Sequence, residues 1–138
     1  MSTKNNYASY ESLAPKKEPV SSYKVTQVEN LEQRKKLLQD NAIVCIDLWA
    51  SWCQPCKIVS PKFSKLAEQY NSPGKCLLVK ENIDLELTRD YQITGIPAFI
   101  FYRHGKLVTS QNGKPVSVVG GNIATVQKVL DSLIGLGV

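Results

Sequence analysis

Two cysteines three positions apart, Cys53 and Cys56 in "WCQPC", follow an apolar run that contains one carboxylate, Asp47. A pair at that spacing can clamp a metal, staple the chain or work as a dithiol. Helical positions i and i+3 put Cα atoms about 5 Å apart, within the usual span of a disulfide. Such a pair closes and reopens with little backbone movement. A staple between neighbours this near removes little loop entropy, so stabilisation is a poor purpose for it. A zinc site wants four ligands, commonly two such pairs or one pair with two histidines. The chain has one CxxC and one histidine, His104, which falls in a turn. Redox exchange is the better reading, and a CxxC within a strand–helix–strand pattern favours it.

The position of the pair sharpens the chemistry. Cys53 is expected where a strand hands over to a helix, beside unpaired backbone N–H groups and the positive end of the helix dipole. Both favour the thiolate, the species that attacks a disulfide. Cys56 lies one turn in, partly shielded, placed to attack a mixed disulfide from within. Cys53 is therefore assigned as the attacking thiol and Cys56 as the resolving thiol. Trp52 and Pro55 make the intervening loop stiff and apolar. Asp47 lies in a strand expected to be covered on both faces, where desolvation raises a carboxyl pKa toward neutrality. A proton acceptor is useful there. Two readings stay open: Asp47 takes the proton of Cys56, or it is an acid satisfied by Lys80 or the backbone. Cys45 and Cys76 each sit inside an apolar run, "AIVCIDLW" and "KCLLVK", and are read as core residues.

The elements that must position this pair follow from periodicity. "YKVTQV" (23–28) alternates as a short strand. Asn30 can cap a helix to about Gln39, with Gln33 three residues on and Leu31, Leu37 and Leu38 offering apolar contacts. "AIVCIDLW" (42–49) is a near-continuous apolar run, as in a central parallel strand. From Cys53 onward Ile58, Val59, Phe63, Leu66, Ala67 and Tyr70 keep a helical rhythm up to "NSPG", with Pro61 inside it expected to kink the helix. "CLLVKENI" (76–83) reads as another buried strand, followed by a short helical piece around Leu85 to Tyr91. "AFIFYR" and "KLVTS" flank His104-Gly105 as a tight hairpin. "QNGKP" (111–115) is a loop, "VSVV" resumes or extends the last strand, and "IATVQKVLDSLI" (123–134) is an amphipathic helix. This order predicts an α/β domain with a central mixed sheet flanked by helices on both faces.

Composition bounds the alternatives. A chain of 138 residues, 43% hydrophobic and 21% charged, fits one domain with a real core. No apolar segment approaches the roughly 18 residues needed to span a bilayer. The first 22 residues are polar, carry prolines at 15 and 19, and predict a flexible tail ahead of a domain over 23–138. They lack the apolar core of a secretory signal, and Glu11, Glu18 and the absence of Arg argue against a transit peptide. A reducing cytoplasm is the expected location. The net charge of +5 comes from scattered lysines, too sparse for a nucleic-acid arm.

From about residue 23 to 135 the chain resembles the thioredoxins. The likeness rests on "VCIDLWASWCQPCK", Pro61, "KENID", "TGIPAFIFYRHGK" and "VGG", in the family's order. It implies a thioredoxin fold, a redox-active Cys53–Cys56 disulfide as the only redox group, and a functional role for Asp47. Pro97 matches the family's cis-proline, leaving the Ile96 backbone free to pair with an extended substrate strand. Gly120 and Gly121 match a glycine beside the active site, where backbone approaches a partner closely. Trp52, Ile83 and Ile96 would form the apolar rim, with Trp49 packing beneath the loop.

The resemblance implies a monomeric, cytoplasmic protein-disulfide reductase. Its partners would be disulfide-containing clients and a flavin-dependent thioredoxin reductase, with no nucleic acid or membrane. The rivals are an oxidase or isomerase of the same fold, and a binding subunit whose dithiol is incidental. Three features depart from the family pattern: Gln54 stands where Gly is usual, Ala98 where Thr is common, and residues are added around "SQNGKPVS".

Overall fold

The computed structural model describes residues 23–85 and 91–137. The tail expected over 1–22 lies outside the described residues, as do residues 86–90 of the expected helical piece. In chain order the elements are β1 (Thr26–Val28), α1 (Leu31–Asp40), β2 (Ile43–Trp49), α2 (Gln54–Tyr70) and β3 (Cys76–Asn82). A 3₁₀ turn (Ile83–Leu85), β4 (Ala98–Arg103), β5 (Lys106–Leu107), β6 (Ser117–Val119) and α3 (Ile123–Gly135) follow.

The sheet runs β1-β3-β2-β4-β5, with β6 also paired to β4. β1 and β2 flank β3 in parallel, and β4 runs antiparallel to β2. β2 is central and buried along nearly its whole length, as its unbroken apolar run requires. Strand alternation divides its side chains between two cores. Ile43 and Cys45 join Phe63, Leu66, Phe99 and Leu130 beneath α2 and α3. Val44, Ile46 and Leu48 join Val79 and Ile100, with Leu37 and Leu38 of α1 packed against them. Helices thus cover both faces.

Local chemistry sets the helix ends. Asn30 Oδ1 accepts from the Gln33 amide at 2.8 Å, and Gln33 Oε1 accepts from the Glu29 amide at 2.8 Å. The reciprocal bond therefore reaches one residue further back than in a regular capping box. Leu31, expected to pack, is 57% exposed, because α1 leans on the sheet only through its later leucines. α2 continues unbroken through Pro61.

β5 and β6 are two pieces of one edge. Each pairs with β4, at Tyr102–Arg103 and at Ala98–Ile100 respectively. Between them the chain leaves the sheet and returns, closed by a Thr109–Pro115 bridge and by Val116 N donating to Val108 O. The added residues around "SQNGKPVS" form this excursion, and "VSVV" resumes the strand. At the hairpin, His104 and Gly105 both take positive φ, 50° and 79°, matching the mirror-image turn that a twisted hairpin prefers.

One buried polar group was not anticipated from the sequence. Glu81 is fully buried on the α1 side, and Arg34 Nη1 meets its Oε2 at 3.0 Å. Arg34 also donates to the Tyr91 hydroxyl, which in turn accepts from the Tyr102 hydroxyl at 3.2 Å. Burial pushes the Glu81 carboxyl up while the guanidinium opposes it.

Candidate active site

β2 ends in Trp49, the chain turns through Ala50–Cys53, and α2 begins at Gln54. Cys53 is the N-cap of α2, extended at φ −93°, and its Sγ accepts from the Cys56 amide at 3.2 Å. A sulfur thus occupies the place of a capping oxygen, facing orphan N–H donors and the positive end of a 17-residue helix. Cys53 and Cys56 are joined as a disulfide with Cα atoms 5.3 Å apart, as the i, i+3 spacing predicts. Both are buried, at 5% and 3% exposure, so shielding does not distinguish them. Pro55 sits in the first turn, where its missing N–H leaves no bond unmade.

The loops at this end of the sheet converge on the pair. Ala50, Cys53 and Cys56 form a small cluster against which Trp49, Ile83 and Ile96 pack. The Ile96–Pro97 bond is cis, and Pro97 is buried. Its carbonyl accepts from Gly120 N at 2.7 Å, which binds the loop after β6 to the one before β4. Gly120 needs its glycine, having φ +98°, whereas a Cβ at Gly121 would meet Val59 only at 3.8 Å, an ordinary contact. Trp52 is 67% exposed. Its indole N–H donates to Asp84 Oδ1 at 3.4 Å, a partner not foreseen from sequence. Trp49 packs against the same cluster, donating to Gln27 Oε1 at 3.2 Å while the Lys80 ammonium lies 5.4 Å from its ring centre.

Asp47 is 3% exposed, and its Oδ1 has no hydrogen-bond partner. Satisfaction by the backbone therefore fails at that oxygen. Lys80, its register partner on β3, acts on it through space. Burial pushes the carboxyl up from 3.8 to about 7, and Lys80 holds it back only in part. A small cavity of about 100 Å³ joins Asp47 and Cys56 to Trp49, Lys57, Ser60 and Lys80. Ser60 was not singled out in the sequence, although it follows Cys56 by one turn on the same helix face.

The remaining thiols are not poised for chemistry. Cys45 and Cys76 are free and buried, burial pushing the first well up and the second to about 11. A larger hollow of about 570 Å³ opens beside the start of β2, between Lys35, Asn41, Gly74 and His104, and holds none of the groups above. Among the described residues no group of three or more His, Cys, Asp or Glu gathers that could hold a metal. No helix there is long and apolar enough to cross a membrane.

The buried acid has a stability signature. A carboxyl whose folded pKa exceeds its unfolded one keeps its proton longer in the folded state. Its contribution is fully present below about pH 4 and is lost as pH rises through about 7. At about 1.4 kcal/mol per tenfold change in proton affinity, the effect is capped at about 4 kcal/mol. The native protein should therefore lose stability between pH 4 and 7. Asp47→Asn should flatten that slope and be the more stable form at pH 8, as urea melts across this range would read.

Comparison with known proteins agrees with this geometry. The thioredoxin family model matches residues 23–120. A thioredoxin-like protein of Fusarium culmorum is 31% identical over 114 residues, covering 81% of this chain and 93% of that one. Thioredoxin-2 of Saccharomyces cerevisiae is 31% identical over 109 residues, covering 78% and 97% respectively. Among solved structures, oxidised mitochondrial thioredoxin 3 of Saccharomyces cerevisiae superposes with a TM-score of 0.68 at 28% identity, over 82% of this chain and all of that one. A match of this length, with the disulfide standing where a redox site of such proteins stands, makes this chain a member of the thioredoxin family.

Proposed function

We propose that the protein is a protein-disulfide reductase, working from the reduced Cys53/Cys56 pair. The Cys53 thiolate attacks a client disulfide, forming a mixed disulfide and releasing one client thiolate. Cys56 gives its proton to the Asp47 carboxylate, attacks Cys53 Sγ and releases the second client thiolate. Two electrons pass to the client. The two client thiolates take up the two protons, one lost earlier from Cys53 and one passed on by Asp47. The resulting Cys53–Cys56 disulfide is returned to the dithiol by a flavin-dependent thioredoxin reductase.

The single observation that carries this reading is the placement of Cys53 Sγ as the N-cap of α2, with Cys56 one turn in. An anion at that position is stabilised by the helix end and remains a good nucleophile near neutral pH. Trp52, Ile83, Ile96, Pro97 and Gly120 would receive the client's extended backbone around it, with Gly121 at the margin. We place the protein in a reducing compartment, the cytoplasm, as a monomer over 23–138 with residues 1–22 as a tail. The free, buried Cys45 and Cys76 suit such a setting.

Reduction of insulin disulfides, with and without a thioredoxin reductase system, tests the reading. Turnover driven by the reductase supports it, and none in either case defeats it. Gln54 makes the reduction potential the quantity that separates this reading from one rival, because residues between the cysteines bear on it. A potential near that of disulfide isomerases would select an oxidase or isomerase instead. Replacing Cys56 with Ser should trap a client on Cys53 as a mass increase that excess dithiothreitol reverses. Capture through Cys45 or Cys76 would overturn the assignment.

A further inference from the structure

Asp47 poses a transport problem. It is 3% exposed, so a proton that it accepts must leave before the next cycle. Its Oδ1 is unpartnered, and Asp47 lines a cavity of about 100 Å³. Of the residues lining that cavity, Asp47 and Cys56 are buried and Lys57 is exposed. Its lining includes one uncharged hydroxyl, that of Ser60, itself only partly buried. The i, i+4 spacing puts Ser60 and Cys56 on one helix face. Serine in a helix interior brings no propensity advantage over alanine, so its presence here is not explained by the helix.

The charged and titratable groups around this cavity are few. Asp47 comes from β2, Lys80 from β3, and Cys56 and Lys57 from α2, while buried Cys45 lies two residues before Asp47 on its own strand. An ammonium offers donors and no acceptor lone pair, so it cannot accept one proton while giving up another. A hydroxyl both donates and accepts. It can take a proton on one side while giving one up on the other, with no net change in charge.

We propose that Ser60 is a positioning residue for proton transfer, its hydroxyl ordering water in the cavity so that the proton taken from Cys56 by Asp47 passes out to solvent. The proposal rests on the reaction given under the proposed function. In the resolving step the S–H bond of Cys56 breaks, its proton moves to Asp47, and its electron pair forms the bond to Cys53 Sγ. The leaving thiolate takes the electrons of the broken S–S bond. The Asp47 proton then moves through water and the Ser60 hydroxyl to the outside. When an external dithiol reduces the disulfide, the same path runs inward.

The test uses the full, reduced chain and the aromatic disulfide DTNB. Attack by Cys53 releases one coloured thiolate in a phase whose rate rises with reagent concentration. Attack by Cys56 then releases a second in a phase that does not. Ser60→Ala should leave the first phase unchanged and slow the second about tenfold. That is less than the 10²–10⁴ of a full general base, because Asp47 remains. It should also alter the pH profile of the second phase between pH 6 and 8, and Ser60→Thr, which keeps the hydroxyl, should restore both. An unchanged second phase in Ser60→Ala overturns the proposal. Equal slowing in the Ala and Thr variants also overturns it, showing that packing was at stake. Because DTNB needs no physiological client, failure of insulin reduction by the unaltered protein would strike the reductase reading and leave this comparison readable.

Discussion

Cys53→Ser is expected to abolish disulfide reduction, lowering turnover on the order of 10⁴-fold or more. An alcohol is far less acidic than a thiol, so near neutral pH no comparable nucleophile remains at the head of α2. The substitution should not unfold the chain. Serine is among the preferred N-cap residues, and a disulfide closing so short a loop contributes about 2 kcal/mol at most by loop entropy. Inactivity with a near-native melting curve is the expected pair of results. Retained biological activity would instead favour a binding subunit whose dithiol is incidental.

The second large effect lies on the other face of the sheet. Arg34→Ala should destabilise the fold by about 3–5 kcal/mol, the usual consequence of leaving a buried charge without its partner. Glu81 has no exposure, its Oε1 already lacks a hydrogen bond, and among the described residues Arg34 is the cation paired with it. The loss should shrink in acid. Without Arg34 the folded pKa of Glu81 rises further, so its stabilising protonation is complete below the unfolded value and is lost as pH rises. Urea denaturation at pH 4 and pH 8 checks both statements. Replacing Arg34 and Glu81 together by leucine should recover most of the loss, because a buried ion pair often exchanges for apolar packing at little net change. If Arg34→Ala is as stable as the native chain at pH 8, the pair carries no structural role.

How much of this was legible in the sequence depends on how local each feature is. The dithiol at the head of α2, the buried strand carrying Asp47 and the core roles of Cys45 and Cys76 all follow from short-range pattern. The structure returns them nearly unchanged. Asn30 as a cap was equally readable, but Leu31 was not. A leucine after a cap reads as apolar contact, and only the tilt of α1 decides that it faces water. Glu81 escaped because its partner lies 47 residues away and because "KEN" at the end of a strand resembles solvated surface. Ser60 escaped for a similar reason. Its helix position was plain, but its neighbours come from two strands whose register sequence alone does not fix. Gly121 was read from the family pattern as a place where a partner's backbone comes close; within the chain itself a Cβ there would meet Val59 at an ordinary 3.8 Å.

The interrupted margin of the sheet has a consequence for life at high concentration. On one flank β1 offers three residues, and on the other β5 and β6 offer two and three, parted by a detour. Among the described residues a foreign strand finds no long row of open amides and carbonyls on either side. Edges this short are poor templates for strand-to-strand association between copies of the chain.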